Sequence, residues 1–212
     1  MSSRKTHWER VYHDRPPNEV SWYQAQPALS LQLIHNTQIS PDDPVIDVGG
    51  GASTLVDCLC RQGFTRLAVL DISATALDYA KQRLGDKAGS IEWYAEDIVN
   101  FHPPHPFSLW HDRAVFHFLT DRDDRRRYVD VMKQALKPNG HLIIATFAVG
   151  GPTRCSGLDI VQYDAKKLMG ELGEGFRLAE EQTEVHMTPA QKEQRFAWFR
   201  LVRNPGMSAS SP

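Results

Sequence analysis

An excess of charge of either sign is missing from this chain: 24 Lys+Arg stand against 26 Asp+Glu, a formal net charge of -2 over 212 residues. A basic footprint that would follow a nucleic-acid backbone or an anionic membrane surface is therefore absent. Cysteine is scarce. Cys58, Cys60 and Cys155 are odd in number and lack zinc-ligand spacing, which points to a reducing compartment rather than a disulfide framework. No apolar stretch approaches the ~20 residues needed to cross a bilayer. The N-terminus has no signal-peptide core, and Glu9 and Asp14 come too early for a transit peptide. These gaps predict a soluble, cytoplasmic protein with one full-sized core and with neither nucleic acid nor membrane as partner.

What is present is organised around Val45-Ile46-Asp47-Val48-Gly49-Gly50-Gly51-Ala52-Ser53. Apolar residues surround one Asp, the chain turns to glycine, and Ser53 then opens an apolar-periodic segment. The pattern reads as a buried strand, a tight turn and a helix start, with Ala52 or Ser53 near the N-cap. Glycines let backbone approach a ligand closely, and free N–H groups at a helix start favour electronegative atoms. Doubly wound sheets bind nucleotide-like ligands at such turns, at the carboxyl ends of parallel strands.

Taken in order, residues 1–27 carry Trp8, Tyr12, Trp22 and Tyr23 among charges and the Pro16-Pro17 break, and only Leu29 to Ile34 looks like a sustained helix. This arm either packs its aromatics on the core or closes as a lid over a ligand at the glycine turn. Beyond the turn, a helix runs to Gly63, and Leu67 to Leu70 is a short strand closed by Asp71-Ile72-Ser73. An alanine-rich helix to Leu84 follows. Ile91 to Ala95 ends in Glu96-Asp97, and Phe107 to His111 ends in Asp112-Arg113. A charged helix from Asp123 to Leu136 stops at Lys137-Pro138-Asn139-Gly140, before a strand from His141 to Phe147. A helix from Asp164 to Leu172 then leads to two alternating segments, Phe176 to Met187 and Gln194 to Val202. Alternating strands and helices imply an α/β fold with helices on both faces of a mostly parallel sheet, and the closing pair makes one strand antiparallel. The expected divisions are an arm and helix over 1–40, one domain over 41–203 and a disordered tail over 204–212.

Asp47-x-Gly49-x-Gly51, Asp71 after the second strand, Asp97 after the third and the late antiparallel strand together resemble a class I S-adenosylmethionine-dependent methyltransferase, over residues 40–203. The resemblance implies a Rossmann-like, doubly wound, seven-stranded sheet and S-adenosyl-L-methionine as cofactor. It implies that Gly49 and Gly51 lie against the methionyl part and that Asp71 takes the ribose hydroxyls. Ile72 and Ile98 would flank the adenine, and Asp97 would accept from its amino group. Asp47, Ser53 (where the family often has a third glycine) and Trp8 of the arm complete the expected cofactor set. A carboxylate is an acceptor-only group suited to such donors. The plainer alternative is that Asp71 and Asp97 merely cap the turns that follow them. An NAD(P)-dependent oxidoreductase is a remote alternative: its G-x-G-x-x-G would need glycine where Thr54 stands. The Tyr163-x-x-x-Lys167 spacing of short-chain dehydrogenases also lacks its glycine signature here.

For the acceptor, Asp112-Arg113-Ala114-Val115-Phe116-His117 with Arg127-Tyr128 resembles thiopurine S-methyltransferases, as does the aromatic arm. Elongation-factor lysine methyltransferases share a related motif, but Arg113 stands where they usually have Lys, and His117 where they often have Asp. Asp112, Arg113 and His117 are thus the expected catalytic residues, although Arg113 could equally pair with Asp112. A thiol ionises readily and needs no strong base, whereas lysine must first lose a proton. The reading is methyl transfer to a small-molecule thiol or related chalcogen, with protein lysine as the alternative. His102, His105, His111, Asp112 and His117 invite a metal, but ligand geometry is not fixed in the proline-rich loop, and no metal is expected.

Overall fold

The computed structural model describes residues 3–205. The apolar runs form strands β1 (Val45–Val48), β2 (Leu67–Asp71), β3 (Glu92–Ala95), β4 (Phe107–Arg113) and β5 (Leu136–Phe147). Strands β6 (Arg154–Cys155) and β7 (Leu158–Asp159) make a small separate hairpin, and β8 (Phe176–Met187) and β9 (Glu193–Arg203) close the sheet. The main sheet has seven strands in the order β3-β2-β1-β4-β5-β9-β8. Only β9 runs against the rest: it pairs antiparallel with both β5 and β8. Strands β1 and β2 are buried along their whole length, because helices cover both faces.

The helices are α1 (Ser3–Asp14), α2 (Ala28–His35), α3 (Leu55–Arg61), α4 (Ala74–Leu84), α5 (Arg122–Ala135) and α6 (Ala165–Leu172). One core layer gathers Phe107, Trp110, Tyr128, Ile144 and Phe199; the other gathers Leu55, Leu109, Phe147 and Trp198. From β1 the chain goes outward to β2 and β3, then crosses back to β4. That reversal leaves a cleft outside the carboxyl ends of β1 and β4. Among the described residues no helix is long and apolar enough to cross a membrane.

Several boundaries differ from expectation. Residues 3–14 are a helix, because Trp8 and Tyr12, at i and i+4, give one aromatic stripe to an otherwise charged segment. β4 extends through Arg113. β5 begins at Leu136 and absorbs Pro138-Asn139-Gly140 as a bulge: its register with β4 jumps between Phe107 and Leu109, and Asn139 takes φ 60. Helix α3 starts after Thr54, with Ser53 Oγ accepting from the Leu55 N–H at 3.1 Å. The expected tail lies, from residue 206 on, outside the described residues.

The arm crosses the whole sheet. At one end Glu9 accepts from the Ala74 N–H at 2.8 Å and the Ser73 hydroxyl at 3.0 Å, capping α4. Arg4 donates to Asp124 at 2.7 Å. At the other end Gln24 donates to Glu184 at 2.8 Å, Asn36 to Glu180 at 3.1 Å, and His186 Nε2 to the Ser21 carbonyl at 2.8 Å, so residues 21–36 sit on β8.

Candidate active site

The glycine turn tolerates no side chains. Gly49 has φ 70 and Gly51 φ 30. A Cβ at Gly49 would stand 2.0 Å from Val115 Cγ2, at Gly50 2.6 Å from Asp47 Oδ2, and at Gly51 2.5 Å from Asp71 Oδ2. The backbone is thereby pressed against the two carboxylates that end β1 and β2, forming a cradle that any larger residue would fill.

Beside this cradle a cavity follows the carboxyl edge of the sheet. Gly49, Asp71, Ile72, Asp97 and Ile98 line one end. The other end is made by Arg113, Phe118, Leu119, Cys155, Gln194 and Phe196, and Trp8, Tyr12 and Trp22 of the arm wall it in. Trp8 meets Trp22 and Phe118 edge-on, with ring centroids 5.6 and 5.0 Å apart. Asp71 and Asp97 do both things open to them: they cap their turns, accepting from the Ser73 N–H at 2.8 Å and the Val99 N–H at 3.3 Å, and they line the cavity. Burial, with Asp47 and Glu9 nearby, pushes the Asp71 carboxyl up to about 7. Asp47 and Ser53 line a second, adjoining and smaller cavity, together with Gly50, Ser30, His111 and Arg113. Gly51 lines neither cavity; it gives Asp71 its room.

The expected catalytic trio is split by the strand itself, since successive side chains leave opposite faces of β4. Asp112 goes to the α5 side, fully buried, and accepts from the Val115 N–H at 2.8 Å, the Phe116 N–H at 3.1 Å and the Tyr128 hydroxyl at 2.6 Å. Burial raises its carboxyl to about 6. It holds the loop after β4, lines neither cavity and is unpaired with Arg113. His117 is also fully buried, between Phe118 and Phe147, where Nδ1 accepts from the Phe147 N–H at 3.3 Å. Burial and the Arg113 charge hold it down at about 3, so it stays neutral, and it lines neither of the two cavities.

Arg113 alone of the three faces the site, lining both cavities. Its Nη1 donates to the Trp22 carbonyl at 2.8 Å and its guanidinium lies 4.8 Å from the Phe196 ring centroid. Among the described residues Nε and Nη2 have no partner, and burial lowers the group to about 10. Ala114 follows in the left-handed region at φ 73, which lets the chain turn out of β4 there. Cys155 is pushed up to about 11 by burial, so it lines the cavity as a neutral thiol.

Other candidates disperse. His105 Nε2 bonds Glu92 at 2.9 Å, His111 bonds Asp47, and among the described residues no three metal-ligating side chains converge. Tyr163 is buried away from both cavities, and Lys167 donates to the Gln162 carbonyl at 2.8 Å, so this pair builds no dehydrogenase site. Sequence reasoning missed Arg4, Phe118, Gln194 and Phe196 as lining residues. The aromatic alternation of β9 was the signal available for Phe196.

A sheet in this order, reversing beside a glycine cradle that leads into two strand-end carboxylates, is the architecture of class I S-adenosylmethionine-dependent methyltransferases. Residues 46–142, a little under half of the chain, match the family model described as a methyltransferase domain, and the fold is shared with solved S-adenosylmethionine-dependent methyltransferases. It is similar to human EEF1A lysine methyltransferase 2, 23% identical over 193 residues that cover 84% of this chain and 75% of that one. It is also similar to malonyl-[acyl-carrier protein] O-methyltransferase 1 of Ilyobacter polytropus, 27% identical over 104 residues. That match covers 49% of this chain and only 37% of the relative. Among solved structures, the N-methyltransferase NodS of Bradyrhizobium japonicum WM9 with S-adenosyl-L-homocysteine aligns with a TM-score of 0.70 and 20% identity, covering 92% of this chain and 97% of NodS. These proteins are named for nitrogen and oxygen acceptors, so likeness at this level does not choose an acceptor.

Proposed function

We propose that the protein moves the methyl group of S-adenosylmethionine to a small soft nucleophile, a thiol or related chalcogen. The observation that carries this reading is the sorting of charge along the main cavity. Its carboxylates, Asp71, Glu96 and Asp97, line one end with Arg4 3.7 Å from Asp97, whereas Trp8, Phe118, Leu119 and Phe196 wall the other, with Arg113 as the charged group there. When bound, the cofactor supplies an electrophilic methyl group on a sulfonium. Asp71 would hold its ribose hydroxyls, Asp97 its adenine amino group, Ile72 and Ile98 the ring faces, and Gly49 the turn-side backbone approach. The aromatic end then excludes water and holds the nucleophile in line, which is most of what such a displacement requires.

Lysine would have to lose a proton from a group with a reference pKa of about 10.4, and among the described residues the aromatic end has no carboxylate lining it to take or orient it. A thiol, with a reference pKa of about 8.5, ionises beside a guanidinium without one. The likeness to EEF1A lysine methyltransferase 2 favours protein lysine as the second reading. In either case α1 acts as a lid, with Trp8 covering the cofactor's reactive end. The test is transfer of labelled methyl groups to a panel of small thiols and, separately, to a whole-cell protein extract. Labelled small-molecule product supports the proposal; labelled protein bands without it overturn the choice of acceptor.

A further inference from the structure

The smaller cavity holds a buried side-chain relay that the proposed transfer does not use. Asp47 on β1 and His111 on β4 are paired residues of adjacent parallel strands. His111 Nδ1 donates to Asp47 Oδ1 at 2.7 Å, and its Nε2 lies 3.1 Å from the hydroxyl oxygen of Ser30 on α2. Relative exposures are 4% for Asp47, 2% for His111 and 1% for Ser30. A neutral ring satisfies both contacts: it gives its one hydrogen to the carboxylate and accepts the hydroxyl hydrogen at the other nitrogen.

The order Asp–His–Ser is that of a hydrolytic triad, but the surroundings exclude that chemistry. Ser30 gives its hydroxyl to the ring and is only 1% exposed, and the turn N–H groups of Gly49 and Gly50 that could hold an oxyanion both donate to the Leu70 carbonyl, at 2.7 and 3.2 Å. The relay instead fixes one carboxylate oxygen and leaves the other. Among the described residues Asp47 Oδ2 has no hydrogen-bond partner, and it lies against Gly50 at the wall of the cavity. Arg113 is on the same wall, so the cavity carries one charge of each sign. That pairing suits a zwitterion and not a phosphate.

We propose that His111 is a positioning residue: held by Ser30, it fixes Asp47 so that Oδ2 accepts from the ammonium group of the cofactor's amino-acid end. The proposal rests on the cofactor reading above and adds a residue that touches no ligand. It also ties α2, and so the seated part of the arm, to the glycine turn.

The experiment compares two nucleosides on the full chain by calorimetry: S-adenosylhomocysteine, and 5′-methylthioadenosine, which lacks the amino-acid end. Asp47→Asn should cut affinity for the first about tenfold and leave the second within about twofold, the loss of one charged hydrogen bond. His111→Gln, whose amide nitrogen cannot stand at the Nδ1 position, should do the same to a smaller degree. His111→Asn can place its amide nitrogen near that position and should recover most of the loss. Retained binding of 5′-methylthioadenosine shows that each variant is folded. Equal losses for both nucleosides, or a homocysteine preference that survives Asp47→Asn, would overturn the proposal. If the unaltered protein bound neither nucleoside, the cofactor reading itself would fall, which is a separate and recognisable result.

Discussion

Replacing Asp112 with alanine separates a structural carboxylate from a catalytic one. The substitution removes the acceptor of three buried donors: the Val115 and Phe116 N–H groups and the Tyr128 hydroxyl, which itself accepts from Trp110 Nε1 at 2.9 Å. An unsatisfied buried donor costs about 1–3 kcal/mol, and with partial relaxation the three together should cost about 3–5 kcal/mol. The cost depends on pH. A carboxyl raised from 3.8 to about 6 on folding binds its proton more tightly in the native state, so its contribution is full below the unfolded value and declines as pH rises through 6. The decline amounts to about 3 kcal/mol, because the folded protein holds this proton roughly a hundredfold more tightly than the unfolded chain does. Urea unfolding should therefore show Asp112→Ala less destabilising at pH 8 than at pH 5 by about 1.4 kcal/mol, the share of that decline that falls between the two values. Equal destabilisation at both, or unchanged stability with abolished turnover, would refute this account and return Asp112 to the reaction.

Three further outcomes are expected. Asp71→Ala should weaken S-adenosylmethionine binding by about 1–3 kcal/mol, and Asp97→Ala by less; calorimetry on the folded variants checks both. His117→Phe should lower stability by about 1 kcal/mol through loss of the Phe147 N–H acceptor yet leave the pH–rate profile unmoved, whereas a catalytic base would take that profile's limb with it. Deleting residues 1–23 should leave a folded protein by circular dichroism that binds cofactor more weakly, with single-turnover transfer collapsed. A normal transfer rate in that truncation would reduce α1 to packing.

The fold was readable because parallel strands buried on both faces must be short apolar runs, and Leu67 to Asp71 shows how a carboxylate marks where such a run meets the cleft. Helix α1 was not readable: its charged composition hides a stripe that exists only when the cleft and α4 are there to receive it. The placement of the trio after β4 was unreadable for a different reason. Strand alternation places Asp112 opposite His111 and Arg113, but which face is the site depends on α5 bringing Tyr128 beneath Asp112. His111 passed for a dispersed histidine because its partners, Asp47 and Ser30, are 64 and 81 positions away in sequence.

The attachment of the arm at both ends of the sheet has a directional consequence. Residues 21–36 are seated on β8 and, through Ser30, on the floor of the smaller cavity, whereas Glu9 and Arg4 fasten α1 at the far side to α4 and α5. Any opening over the adenosine end must therefore swing α1 about the Pro16-Pro17 segment while the second half of the arm stays in place. Trp8 would leave with α1 while Trp22 stays, so such a motion would part the aromatic wall between these two rings, which meet edge-on with centroids 5.6 Å apart.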